Sequence, residues 1–169
     1  MKKFIFLTIF TGIFAGCDKS DKPVEDAQTK TCSLSSEAIV GVYKVVKVTD
    51  FTSNQSGGVS ETNITNQISP NRLDDQYEFK SNSIFIWTDT GIRAPASMLT
   101  ASESWKLDGK QLTPAIQGYF PNPMYYDTAD EFIVSEFACD SMKIDKRFTE
   151  TNDGVTLQSG LRYYLRRMK

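Results

Sequence analysis

The closing run of the chain constrains it most. Over 155–167, Val155, Leu157, Leu161, Tyr163 and Leu165 fall on one parity, while Thr156, Gln158, Arg162 and Arg166 fall on the other. Successive side chains leave a strand on opposite sides, so this alternation describes a strand with one apolar face. The run before it alternates as cleanly. Met142, Ile144 and Phe148 oppose Lys143, Asp145 and Arg147, and Asn152-Asp153-Gly154 supplies the turn between the two. Two long strands with one apolar face each must cover that face, either with a second layer or by curling on themselves. Gly160 sits inside the last strand, where a bend or bulge is expected.

Shorter segments upstream carry the same signal. Residues 39–51 hold Val42, Tyr43, Val45, Val46 and Val48, which is strand composition with apolar residues on both faces. Residues 75–80 and 84–88 flank the turn Ser81-Asn82-Ser83 and form a hairpin. Residues 102–107 and 111–116 flank Asp108-Gly109 and form another, and 131–137 is a further strand before the Cys139-Asp140 turn. Segments 52–72, 91–100 and 118–130 are loops, with Ile64 and Ile68 packing as a lid or a short extra strand. Residues 32–38 make a polar lead-in with at most one helical turn. The expected fold is all-β: an antiparallel up-and-down sheet of about eight strands closing into a small barrel, since closure removes sticky edges. A barrel of that size is filled by side chains or holds one small ligand.

The N-terminus says where such a domain works. Lys2 and Lys3 precede an apolar run over 4–14, then the small residues Ala15 and Gly16, then Cys17. This is the build of a secretory signal, too short for a permanent membrane span. Its ending resembles the lipobox of bacterial lipoproteins, with Phe14 where that family usually has Leu. The resemblance implies that 1–16 is a signal peptide and that Cys17 is acylated and begins the mature chain. Several acyl chains give a stable membrane anchor. The alternative is an ordinary signal peptide that happens to hold a Cys. Residues 18–31 are polar and charged and cannot build core, so 17–31 reads as the acylated Cys and a disordered tether of about 20 Å r.m.s. span. The domain is then 32–169. The expected location is the bacterial cell envelope, on the periplasmic or cell-surface side.

The sequence has no His, so the commonest general base and zinc ligand are missing. No nucleophile–base pair stands out, and neither an enzyme nor a cofactor is expected. The pair Asp74-Asp75 reads as a turn before a strand, because adjacent strand residues point to opposite faces. The acids Asp127, Asp130 and Glu131 lack the spacing of a calcium loop. Formal charge is −2, and losing Lys2 and Lys3 makes it more acidic. Without basic runs in the sequence, neither nucleic acid nor anionic lipid headgroups are expected partners. With Cys17 acylated, Cys32 and Cys139 remain as an even pair and are expected to form a disulfide in an oxidising compartment, the alternative being two buried thiols.

Four stretches, in order, resemble bacterial lipocalin-like lipoproteins. They are the Gly41-Val42-Tyr43 start of the first strand, Leu73 to Asn82, the Trp105-Lys106-Leu107-Asp108-Gly109 hairpin, and the closing Tyr163-Tyr164-Leu165-Arg166-Arg167. The resemblance implies a lipocalin-like barrel in which Tyr43 and Arg167 form a cation–π pair across one end, with Tyr43 where lipocalins carry Trp.

Function then divides. The first expectation is that the chain binds a small apolar or amphipathic ligand or has a structural envelope role; the alternative is a protein–protein module such as a periplasmic inhibitor or immunity protein using loop 118–130. Candidate ligand contacts are Trp87, Phe120, Tyr125 and Tyr126; the competing reading makes such aromatics core.

Overall fold

The computed structural model describes residues 32–53, 57–90, 99–123 and 129–169. Cys17, Tyr125 and Tyr126 lie outside the described residues. The all-β expectation is met by a single ten-stranded antiparallel sheet. Its strands are β1 (Gly41–Ser53), β2 (Val59–Asn63), β3 (Gln76–Phe79), β4 (Ile84–Thr88), β5 (Thr100–Ser104), β6 (Leu107–Asp108), β7 (Gln111–Leu112), β8 (Glu131–Ala138), β9 (Ser141–Asn152) and β10 (Val155–Arg167). The order is β5-β4-β3-β1-β10-β9-β8-β7-β6, with β2 paired to β1 off this path. Among the described residues, helix is confined to the one-turn α1 (Ser36–Ile39) and α2 (Pro70–Leu73) and to 3-10 turns at Thr65–Gln67 and Pro114–Tyr119. The turn at α1 is fixed by Ser35, whose side chain accepts the Ala38 N–H at 3.1 Å.

Three departures from the sequence expectation have local causes. Strand β2 was expected as loop; every residue in it is exposed, so it shows no apolar alternation. The 102–107 strand breaks at Trp105. Its backbone N–H donates to Ser83 O at 2.9 Å, and its indole N–H donates to Lys80 O at 3.1 Å. The return expected over 111–116 stops at Leu112, because Pro114 has no N–H for a ladder and instead opens the 3-10 turn.

The sheet is not closed into a barrel. No pairing joins β5 to β6, the two ends of the ladder, among the described residues. The backbone groups at the seam bond locally instead: Lys106 N–H donates to Thr113 Oγ1 at 2.7 Å, and Thr113 N–H to Lys106 O at 3.1 Å. Yet only Trp105 and Lys106 separate β5 from β6, so the two ends lie within about 11 Å along the chain. The sheet is therefore strongly curved.

Register sets which side chains fill the curve. Tyr77 opposes Trp87, Phe79 opposes Phe85, Val48 opposes Tyr163, and Tyr163 opposes Ile144. Phe120, at the end of the second 3-10 turn, sits at their centre. Its ring centroid lies 4.5 Å from Tyr77, 5.2 Å from Phe132, 5.2 Å from Tyr163 and 6.3 Å from Phe85. Those partners stand on β3, β8, β10 and β4. Strands far apart on the ladder thus share one core, and aromatic rings at these separations are among its strongest contacts.

Two glycines are required. At Gly41, φ is +154°, and a Cβ would lie 3.1 Å from the Arg167 guanidinium. At Gly160 a Cβ would lie 1.9 Å from the Lys146 carbonyl, so the predicted irregularity is a close approach of β10 to β9 with unbroken register. Cys32 and Cys139 form a disulfide with Cα atoms 5.1 Å apart, tying the lead-in to the β8–β9 turn.

Candidate functional site

Tyr43 and Arg167 pair beside α1. The sequence expectation of a pair is met, with one correction: the two residues are direct cross-strand partners on neighbouring β1 and β10, so Arg167 does not span the end of the sheet. Its Nε–H donates to the Tyr43 hydroxyl at 3.0 Å, and its guanidinium carbon lies 5.2 Å from the Tyr43 ring centroid. A second guanidinium nitrogen donates to Ala38 O, and the Tyr43 hydroxyl donates to Ile39 O at 2.9 Å. The pair therefore joins β1, β10 and α1. Burial raises the Tyr43 phenol above its ordinary value, against the opposing pull of Arg167.

The other candidate is the polar cluster around Trp87. Asp75 is fully buried, and its Oδ2 accepts the Trp87 indole N–H at 2.9 Å. Arg72 lies 3.5 Å from the same oxygen, stacks its guanidinium 5.3 Å from the Trp87 ring centroid, and donates to Tyr119 O at 3.0 Å. Tyr119 in turn packs 5.7 Å from Trp87. Burial holds the Asp75 carboxyl above its ordinary range; the Trp87 hydrogen bond and Arg72 pull it down, and Asp89 and Asp74 push it further up. Burial likewise drives the Tyr77 and Tyr163 phenols far up, Tyr77 with a further push from Asp75. Among the described residues, Asp74 Oδ1, Asp75 Oδ1 and the Tyr163 hydroxyl have no hydrogen-bond partner. A groove of about 470 Å³ opens beside this cluster and is lined by Ile68, Arg72, Phe120, Pro121 and Pro123.

The sequence candidates thus separate. Trp87 faces the interior and belongs to the Arg72–Asp75 cluster. Phe120 is only 1% exposed and fills the core, touching the groove at its edge. Asp75, read from sequence as a mere turn residue, is the buried acid of the cluster. It was missed because its partners are set by the β3–β4 register and by α2.

The outer face holds a network that the sequence did not announce. Asp145 is fully buried there and accepts from Arg162 at 2.7 and 2.8 Å, from Arg147 at 2.8 Å and from Ser135 at 2.8 Å. Arg162 continues to Glu61, which also accepts the Tyr164 hydroxyl at 2.6 Å and the Thr49 hydroxyl at 3.1 Å. Burial works against the Asp145 charge, but the hydrogen bonds from Arg162, Arg147 and Ser135 outweigh it and hold the carboxyl below its ordinary range. Five strands, β2, β1, β10, β9 and β8, are laced together this way. Among the described residues no group of three or more His, Cys, Asp or Glu is arranged to hold a metal ion.

Among the described residues, none of these three clusters pairs a nucleophile with a base. No family model, no curated protein and no solved structure matches the chain.

Proposed function

We propose that this chain is a lipid-anchored lipoprotein of the bacterial cell envelope that works by binding a protein partner. The lipobox-like run ending at Cys17 supports the anchor and the location. The observation that carries the binding mode is Phe120. Its ring is packed among Tyr77, Phe85, Phe132 and Tyr163, where a hollow carrier needs open space. Loop 118–130, which begins just before this plug, is the proposed contact. Binding without turnover agrees with a chain that has no His.

A lipocalin-like barrel is the architecture proposed for the domain. Its support is the two-residue link between the ladder ends, the shared core at Phe120, and the Tyr43–Arg167 pair at one end. Small-ligand binding is the second reading. The 470 Å³ groove favours it, because Ile68, Pro121 and Pro123 stand there beside Gln67, Ser69, Asn122 and the Arg72 guanidinium, a largely polar lining that suits an amphipathic anion.

Native mass spectrometry of the full chain, extracted from its own envelope in mild detergent, separates these readings. A co-purifying protein with no small molecule is the expected result. A stoichiometric small molecule and no protein would overturn the partner reading. The same spectra test the anchor: the mature chain is expected to begin at Cys17 with added acyl mass, and an unmodified thiol there rules the anchor out.

A further inference from the structure

The strand register assembles a basic surface that no run in the sequence reveals. On the outer face, Lys47, Tyr164 and Lys143 form one row across β1, β10 and β9, and Lys44 pairs with Arg166 in the next. The two lysine ammonium groups flank the Tyr164 ring, at 4.5 and 5.1 Å from its centroid. Lys44, Lys47 and Arg166 make no ion pair among the described residues. Lys143 pairs with Glu136 at the rim. The cations stand at 44, 47, 143 and 166 in the sequence and meet only in the folded sheet.

The face is also shaped. The β1 bulge between Val45 and Lys47 pushes Val46 outward, leaving it 53% exposed. Beside it runs a groove of about 170 Å³ whose apolar lining is the exposed Val46 with Ala138, above the buried core residues Met142 and Leu165, and whose polar lining is Lys143, Tyr164 and Arg166 with the single acid Glu136. Apolar lining beside cations and a tyrosine matches the boundary between lipid headgroups and acyl chains, where one part of the surface is wet and the other is not.

Its position matters most. Ala138 and Ser141 line the same groove and flank the turn that holds Cys139, which is bonded to Cys32. Cys32, the first described residue, thus sits at the edge of this basic face, and only residues 18–31 separate it in sequence from Cys17.

We infer that this Lys44–Lys47–Lys143–Arg166 face docks on the anionic phospholipid headgroups of the membrane that carries the chain. The inference rests on the proposed anchor for its geometry. The ammonium and guanidinium groups donate to phosphate oxygens, Val46 enters the interface, and the opposite end of the domain is turned outward.

Lysine acetylation footprinting tests this on the full lipidated chain, reconstituted in vesicles of phosphatidylcholine alone or with phosphatidylglycerol added. Acetylation of Lys44, Lys47 and Lys143 is expected to fall several-fold in the anionic vesicles. Lys106, whose side chain is 78% exposed, is expected to stay unchanged. Protection should vanish at about 1 M salt, where the Debye length is about 3 Å. Equal reactivity in both vesicles, or protection that survives salt, overturns the proposal. A Lys47→Glu/Arg166→Glu variant with an unchanged melting temperature is expected to lose protection at Lys44 and Lys143; retained protection counts against the face. Intact mass reports the anchor separately. Should the chain prove unacylated, salt-sensitive co-sedimentation with phosphatidylglycerol vesicles supports the face on its own, and no co-sedimentation overturns it.

Discussion

Asp145 and Arg162 face each other in register across β9 and β10, joined by two hydrogen bonds of 2.7 and 2.8 Å on the outer side of the sheet. The carboxylate is fully buried there, yet its pKa lies below the ordinary 3.8, because three side chains donate to it. A depressed acid stabilises the fold above its unfolded pKa, and that contribution is lost as pH falls through the folded value. Asp145→Asn is therefore expected to cost about 1–3 kcal/mol at pH 7, in line with hydrogen bonds to a charged group. Urea titrations should find the gap between variant and parent closing below pH 4, as the parent carboxyl takes up its proton. A gap that stays constant down to pH 2 would mean that charge is not what the site supplies.

The Phe120 ring makes a second prediction. Phe120→Ala removes the shared contact of four strands and is expected to destabilise the domain by about 3–5 kcal/mol, the range for large-to-small aromatic truncation in a packed core. Thermal or urea unfolding measures it. A loss under about 1 kcal/mol would mean that the interior has room to spare, and the small-ligand reading would gain accordingly.

How much of this was legible in the sequence depends on what each signal needed. Strand β10 was read to the residue, because thirteen positions of alternation and a flanking Asp-Gly turn are both local. Strand β2 was not, because it lies off the main path and buries nothing. The break at Trp105 was invisible, since its cause is a pair of carbonyls on Lys80 and Ser83, far back in the chain. Tyr43 and Arg167 were found through a family pattern, and their real relation, direct pairing, followed only from register. Lys146 shares the inward parity of Met142 and Ile144 and is 2% exposed, a charge on the core side that binary patterning has no means to expect. The Asp75 and Asp145 clusters share this limit: each draws its partners from three or more elements.

The Cys32–Cys139 bond closes a separation of 107 residues. Loops of that length are worth about 4–5 kcal/mol in the chain-entropy model. The double variant Cys32→Ser/Cys139→Ser is expected to lose stability of that order, with the sheet itself intact. Urea midpoints under non-reducing conditions measure the loss, and non-reducing peptide mapping checks the linkage. Two free thiols in the mature protein would remove the disulfide from the fold. A variant as stable as its parent would mean that the lead-in before α1 contributes nothing by being tied down.

Asp75 should behave with the opposite sign to Asp145. Burial raises its carboxyl pKa above 3.8, so the folded state binds its proton more readily than the unfolded chain does. The contribution of such a group is fully present below the unfolded value and is lost as pH rises through the folded one. Asp75→Asn keeps an oxygen to accept the Trp87 indole N–H but carries no charge at any pH. Relative to the parent it is expected to gain stability as pH rises from 4 to 7. Asp75→Ala, by contrast, orphans that indole and is expected to cost about 1–3 kcal/mol throughout. Melting curves of the three proteins across that range decide the matter. If Asp75→Asn loses ground as pH rises, the Arg72 ion pair dominates the site and the carboxylate is there to hold the guanidinium over Trp87.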